Sequence, residues 1–168
     1  MRRATISLLL LTTLAGCSFG FKGGGLPPGL RTAVVLPFDN ETTDPTIGQQ
    51  VMLAVKEAIE RRLGLRASGE SQADVVVRGK ISRYEPDLPV AFQGTPGTAG
   101  GANTVSVTRR LVSLTVNVEL VERATSKVLY TAPISVDGDY EPGREAEGRR
   151  RALDKLVTKI VDGAQLQW

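Results

Sequence analysis

The side chains that carry most enzymatic chemistry are nearly missing from this sequence. It contains no histidine, and Cys17 is its one cysteine. A Ser–His or Cys–His nucleophile pair is therefore excluded, as is a metal site built on His or Cys ligands. A hydrolase here would depend on a Ser–Lys or carboxylate arrangement, and no motif for either is present. Asp39 and Glu41 are near enough in sequence to suggest paired acids, but their stretch reads as a turn before a helix. The chain reads as a non-enzyme with no metal and no cofactor. What remains is positive charge. Arg78 and Lys80 stand two apart in an alternating segment and so share a sheet face, while Arg109 and Arg110 adjoin at a break in another. Such cations hold phosphate groups by charge-assisted hydrogen bonds, with arginine favoured for its planar fork. The plainer reading is a solvated sheet face. Arg149-Arg150-Arg151 likewise reads first as the solvated side of a helix.

Cys17 offers chemistry of another kind. Arg2 and Arg3 form a positive start, Ile6 to Leu11 most of a short apolar run, and Leu14-Ala15-Gly16-Cys17 its end. A bilayer span takes about 20 apolar residues, so this run is a secretory signal. Its last four residues resemble the bacterial lipobox, whose cysteine is acylated before cleavage. Residues 1–16 are expected to be removed and Cys17 to carry acyl chains. At about 0.8 kcal/mol per buried CH₂, two or three chains anchor a protein firmly. Ser18, where an Asp would signal retention, favours the outer membrane. Without Arg2 and Arg3 the mature chain has 19 Lys and Arg against 18 Asp and Glu, too even a balance for a nucleic-acid partner.

The elements that position these residues follow from periodicity. Residues 17–30 are rich in Gly and Pro and read as a tether, and 31–168 as one domain. Ala33-Val34-Val35-Leu36 is a short apolar run suited to a strand buried on both faces, ended by Pro37. Asp44-Pro45 reads as a helix start. Ile47, Val51, Ala54, Val55, Ala58, Ile59 and Leu63 then trace one stripe up to Gly64, a C′ residue. Leu65 to Ala67 suits a short edge strand. Val75, Val77 and Ile81 alternate with Arg78 and Lys80 in a strand ending near Pro86, and 86–102 reads as a mobile loop. Val112, Leu114, Val116, Val118 and Leu120 alternate in the longest strand, whose parity slips near Arg109-Arg110. A hairpin returns through Val128 to Val136, with Pro133 marking it as an edge strand or as bulged at that point. After a connection over 137–143, Ala146, Leu153, Leu156, Val157, Ile160, Val161 and Ala164 trace the stripe of a second helix that Gly163 should end. One-sided helices and strands imply an α+β fold: a two-layer α/β sandwich, two helices on one face of a mixed or antiparallel sheet of about four strands.

The lipobox cysteine, the tether, the Phe38-Asp39-Asn40-Glu41-Thr42 loop, the Asp44-Pro45 helix and the hairpin before a last helix resemble the LptE family of lipopolysaccharide-assembly outer-membrane lipoproteins. The resemblance implies a domain that helps a large outer-membrane β-barrel translocon assemble, plugs it, and binds lipopolysaccharide in transit. The protein would be lipid-anchored and periplasm-facing. Arg78, Lys80, Arg109 and Arg110 are then the candidate lipopolysaccharide contacts. Val34-Val35-Leu36-Pro37-Phe38-Asp39-Asn40 also looks like the opening of periplasmic lipoproteins that regulate cell-wall synthases or build secretion complexes. Replacing Cys17 with Ala should leave an uncleaved precursor or a soluble form, and normal membrane fractionation of that variant would sink the lipidation assignment.

Overall fold

The computed structural model describes residues 26–95 and 104–167. The signal, Cys17 and most of the tether lie outside the described residues. In chain order the elements are β1 (Thr32–Val35), β2 (Asp39–Asn40), α1 (Ile47–Arg62), β3 (Arg66–Ala67), β4 (Val75–Thr95), β5 (Thr104–Glu122), β6 (Lys127–Tyr140) and α2 (Glu145–Leu166). The sheet order is β3-β1-β4-β5-β6, with β2 also on β4. The first three strands pair in parallel and β4, β5 and β6 form an antiparallel meander. This is the expected α+β sandwich with a mixed sheet. It has six strands rather than about four: β3 is the short edge strand expected within Leu65 to Ala67, and β2 is a two-residue pairing too short to leave an alternation in the sequence.

Burial is one-sided. Val75, Val77 and Ile81 of β4, Val112 to Leu120 at alternate positions of β5, and Ile134 and Val136 of β6 are buried against Ile47, Val51, Val55 and Ile59 of α1 and Leu156 and Ile160 of α2. Because helices cover a single face, β1 is not buried on both sides: Ala33 is buried while Thr32, Val34 and Val35 are half-buried. Pro37 interrupts the line of β1. Val35 pairs with Val77 and Asp39 with Lys80, so one extra residue is accommodated and Phe38 turns into the core. Its ring lies on Gly79, where a Cβ would stand 2.7 Å from Phe38 Cδ1 and 2.6 Å from the Asn117 carbonyl oxygen.

Asp44 is not the cap of α1. The helix begins at Ile47, and Asp44 closes a turn just before it, its Oδ1 accepting from the backbone N–H and the hydroxyl of Thr46 at 2.7 Å each. Gly64 does end α1, with φ of +70°. The start of the sheet is tied by Asp74, whose Oδ2 accepts from the N–H groups of Arg31 and Thr32 at 2.9 and 3.0 Å and from the Thr32 hydroxyl at 2.8 Å.

Three boundaries differ from the periodicity. Of the loop expected over 86–102, residues 96–102 lie outside the described residues, and residues 86–95 are strand. Strand β4 passes through Pro86 and runs to Thr95, and β5 begins at Thr104, so a two-stranded arm projects beyond the sheet. Its alternation is hidden because pairing slips at Glu85/Leu88, Pro89/Ala91 and Ala91/Phe92. The last two slips place the irregularity foreseen near Arg109 and Arg110. Strand β6 continues through 137–140 instead of ending at Val136. Helix α2 passes Gly163 and ends at Leu166. Gly163 is there because the Tyr130 ring lies against it, with Cε2 and Cζ each 2.6 Å from where a Cβ would be.

Helix α2 also seals the outer edge of β6. Arg151 Nη1, Lys155 Nζ and Lys159 Nζ, spaced four apart, donate to the backbone carbonyls of Asp139, Asp137 and Ser135 at 2.6, 2.6 and 2.9 Å. These carbonyls would otherwise offer an open edge to another strand. Val116→Ala and Leu156→Ala should each cost about 2–4 kcal/mol by leaving a cavity. Gly138→Ala should be at least as harmful, since its Cβ would meet the Gly148 carbonyl and stand 2.7 Å from the Ala152 nitrogen. Urea unfolding midpoints check all three.

Candidate functional site

On the sheet face away from the helices, antiparallel pairing sets Arg78 beside Glu119 and Lys80 beside Asn117. Thr131 extends the first row across β6. Arg78, Gly79, Lys80, Asn117, Glu119, Thr131 and Asp39 line a depression of about 370 Å³. Both cations already hold acids. Arg78 Nε donates to Glu119 Oε2 at 2.6 Å, and Lys80 Nζ to Glu41 Oε1 at 2.6 Å. The hydrogen bond and charge of Glu119 push the Arg78 guanidinium further toward its charged form. Asp39 and Glu41 therefore do not act as an acid pair, because Glu41 is turned to Lys80. The loop that presents Glu41 is built by Asn40, whose Oδ1 accepts from Thr42 N–H at 3.0 Å and whose Nδ2 donates to the Asp44 carbonyl at 2.7 Å.

Arg109 and Arg110 are not together with the first pair, and, as neighbours in a strand, they point to opposite faces. Arg110 bonds the Asp87 carboxylate at the base of the arm. The Tyr140 hydroxyl lies 2.7 Å from the Pro86 carbonyl oxygen and 2.9 Å from Asp87 Oδ1, so it donates at the same point. The Arg110 guanidinium, and then the Tyr140 hydroxyl, hold the Asp87 carboxyl below the usual range. Burial first, then the nearby Asp87, pushes Tyr140 up to about 12, so its hydroxyl remains a donor. Arg110 thus fastens the arm. Arg109 is more loosely placed, 3.9 Å from Asp139 Oδ2.

The Arg149-Arg150-Arg151 run is not one patch. Arg149 turns to Glu145 at 3.4 Å, Arg151 reaches the β6 edge, and Arg150 is exposed. Sequence reasoning missed Asp87, Tyr140 and Arg144 as parts of the same end of the molecule. Charged residues are dense around Tyr140 and Arg144, but the contacts that gather these side chains span up to 54 positions along the chain.

A two-layer α/β domain with one polar, ion-paired sheet face and no His or Cys in its fold is the class that these features define. The model of the LptE family, described as lipopolysaccharide-assembly, matches residues 30–163, and the chain belongs to that family. Its place is accordingly in lipopolysaccharide assembly, in a family of outer-membrane lipoproteins that are not enzymes. Among the described residues no helix is long and apolar enough to cross a membrane. No curated protein matches the sequence. Solved structures with a similar fold include protein XCC0632 from Xanthomonas campestris, at 12% identity and TM-score 0.58, covering 85% of this chain and 90% of that one. A PelC dodecamer from Paraburkholderia phytofirmans is similar at 17% identity and TM-score 0.51, over 81% and 92%. The hypothetical protein CT253 from Chlamydia trachomatis follows at 9% and 0.50, over 81% and 98%. At these identities the likeness is one of fold.

Asp44, Asp74 and Asp87 all have carboxyls held below their ordinary value by hydrogen bonds to Thr46, to Arg31 and Thr32, and to Arg110. A carboxyl whose folded pKa lies below the unfolded one, about 3.9 for Asp, adds stability that is complete above that value and is lost as pH falls through the folded pKa. The urea midpoint should therefore be level down to about pH 5 and fall below about pH 4. Asp74→Asn should lower the midpoint at neutral pH and make the acid fall shallower.

Proposed function

We propose that this domain is the lipoprotein partner of an outer-membrane β-barrel translocon. It assists the barrel's assembly, occupies it as a plug, and binds lipopolysaccharide during export. Acyl chains on Cys17 hold it to the outer membrane on the periplasmic side. The family match over residues 30–163 carries this reading. The polar sheet face supports it, since a plug presents hydrogen-bonding groups to a barrel lumen while its apolar layer stays under the helices.

Arg78, Lys80, Arg109 and Arg110 are the proposed lipopolysaccharide contacts. The first two form one group on the open face and the other two a second at the base of the arm, so the groups can be separated experimentally. Arg78→Ser with Lys80→Ser, and Arg109→Ser with Arg110→Ser, would be compared in the full chain for lipopolysaccharide binding across a salt series. The pair that contacts the lipid should weaken binding by about tenfold or more and flatten its salt dependence. Unchanged binding in both variants would overturn all four contacts. Co-purification of a barrel in equal amount from solubilised outer membrane separates this role from one at a cell-wall synthase or secretion complex.

A further inference from the structure

Where β6 ends and α2 begins, a recess of about 220 Å³ is lined by Arg109, Asp139, Tyr140, Glu141, Arg144, Glu147 and Arg151. Three guanidinium groups reach it from different elements: Arg109 from β5, Arg144 from the residue before α2, and Arg151 from the second turn of α2. Their ion pairs are all long. Arg109 and Arg151 share Asp139 Oδ2 at 3.9 and 3.3 Å, while Arg144 and Arg151 share Glu147 at 3.6 and 3.7 Å. A well-formed charge-assisted N–H···O bond is about 2.7–2.9 Å, and the open-face pairs reach 2.6 Å. The open-face cations are thus committed to their acids, and those of the recess are not.

Arginine offers about five N–H donors in a fixed fork. In the recess only Arg151 uses one at full strength, on the Asp139 carbonyl at 2.6 Å. The side chains of Arg109 and Arg144 are 59% and 61% exposed and can turn inward. Arg144, the N-cap residue of α2, provides no side-chain cap, and the helix dipole is met by Glu145 and Glu147 in the first turn. Forks arriving from three directions suit a tetrahedral anion better than a planar carboxylate.

We propose that this recess binds a phosphate or diphosphate group, Arg109 and Arg144 closing on it while Arg151 keeps its place on β6. The anion displaces Glu147 and Asp139 from their long contacts, so these carboxylates compete with it. In the proposed function the group is the phosphorylated head of lipopolysaccharide, and only that choice of source rests on the earlier reading; a free phosphate shares the chemistry.

Inorganic pyrophosphate would be titrated into the full chain in detergent at low salt and followed by amide NMR shifts. Arg109→Ser and Arg144→Ser should each weaken binding by about tenfold, and Glu147→Gln should tighten it by about threefold. Tightening on loss of an acid is a response that a merely structural role would not give. Arg61→Ser, in an exposed pair with Glu57 on α1 and away from both groups, should leave the affinity unchanged, and Arg78→Ser with Lys80→Ser is run beside it as the open-face variant. Thermal unfolding confirms that each variant is folded. A second arm compares lipopolysaccharide carrying or lacking its lipid A phosphates. Equal affinity for pyrophosphate in all the variants would overturn the recess, as would lipopolysaccharide binding that only the open-face variant reduces, which would leave the proposed function standing. Pyrophosphate binding with the expected pattern, but no binding of either lipopolysaccharide, would uphold the recess for a free phosphate and overturn the lipid reading.

Discussion

The contact of α2 on β6 governs the placement of the rest. Gly138 and Gly148 leave no room for a side chain between strand and helix, so the two backbones meet directly. The apolar stripe of α2 then falls on β5 and β6, and α1 fills the remaining half of the same sheet face. The Tyr130 ring on Gly163 repeats the device at the other end of the helix. Three glycines thus set the depth of one side of the layer. Their role is steric, since none of the three has a positive φ.

Much of this layer was legible. The stripes of α1 and α2 and the alternation of β5 follow from periods of 3.6 and 2, and they locate the core correctly. Gly163 misled because helix-ending glycine and close-contact glycine are the same residue; only the partner, Tyr130, tells them apart. The arm was hidden by its own slips in pairing, which erase alternation while keeping the backbone bonds. Pro86 and Pro89 strengthened the appearance of a loop, although a ribbon beyond the ends of its neighbours tolerates proline on its outward side.

The candidate site was legible in composition and not in geometry. Four cations were identifiable from the sequence, and their division was not. Glu119 faces Arg78 only through the register of β4 on β5, and Asp87 meets Arg110 only because the arm folds back on itself. A charged residue's usefulness depends on how firmly its counter-ion is held, which is a matter of a few tenths of an ångström up to one. Arg110 has become a fastener, Arg78 and Lys80 half of tight pairs, and Arg109 remains available. Exposed pairs of this kind contribute little to folding, so their arrangement is open to change without loss of the core.

The three basic side chains of α2 that cover the carbonyls of Ser135, Asp137 and Asp139 have a consequence for association. Within the body of the sheet they close one border, while the opposite border, at the two-residue β3 and the uncovered end of β1, is paired with nothing further among the described residues. A strand arriving at β6 would meet charged side chains already seated on the carbonyls it needs, so along the body of the sheet only the β3 and β1 border offers free backbone groups.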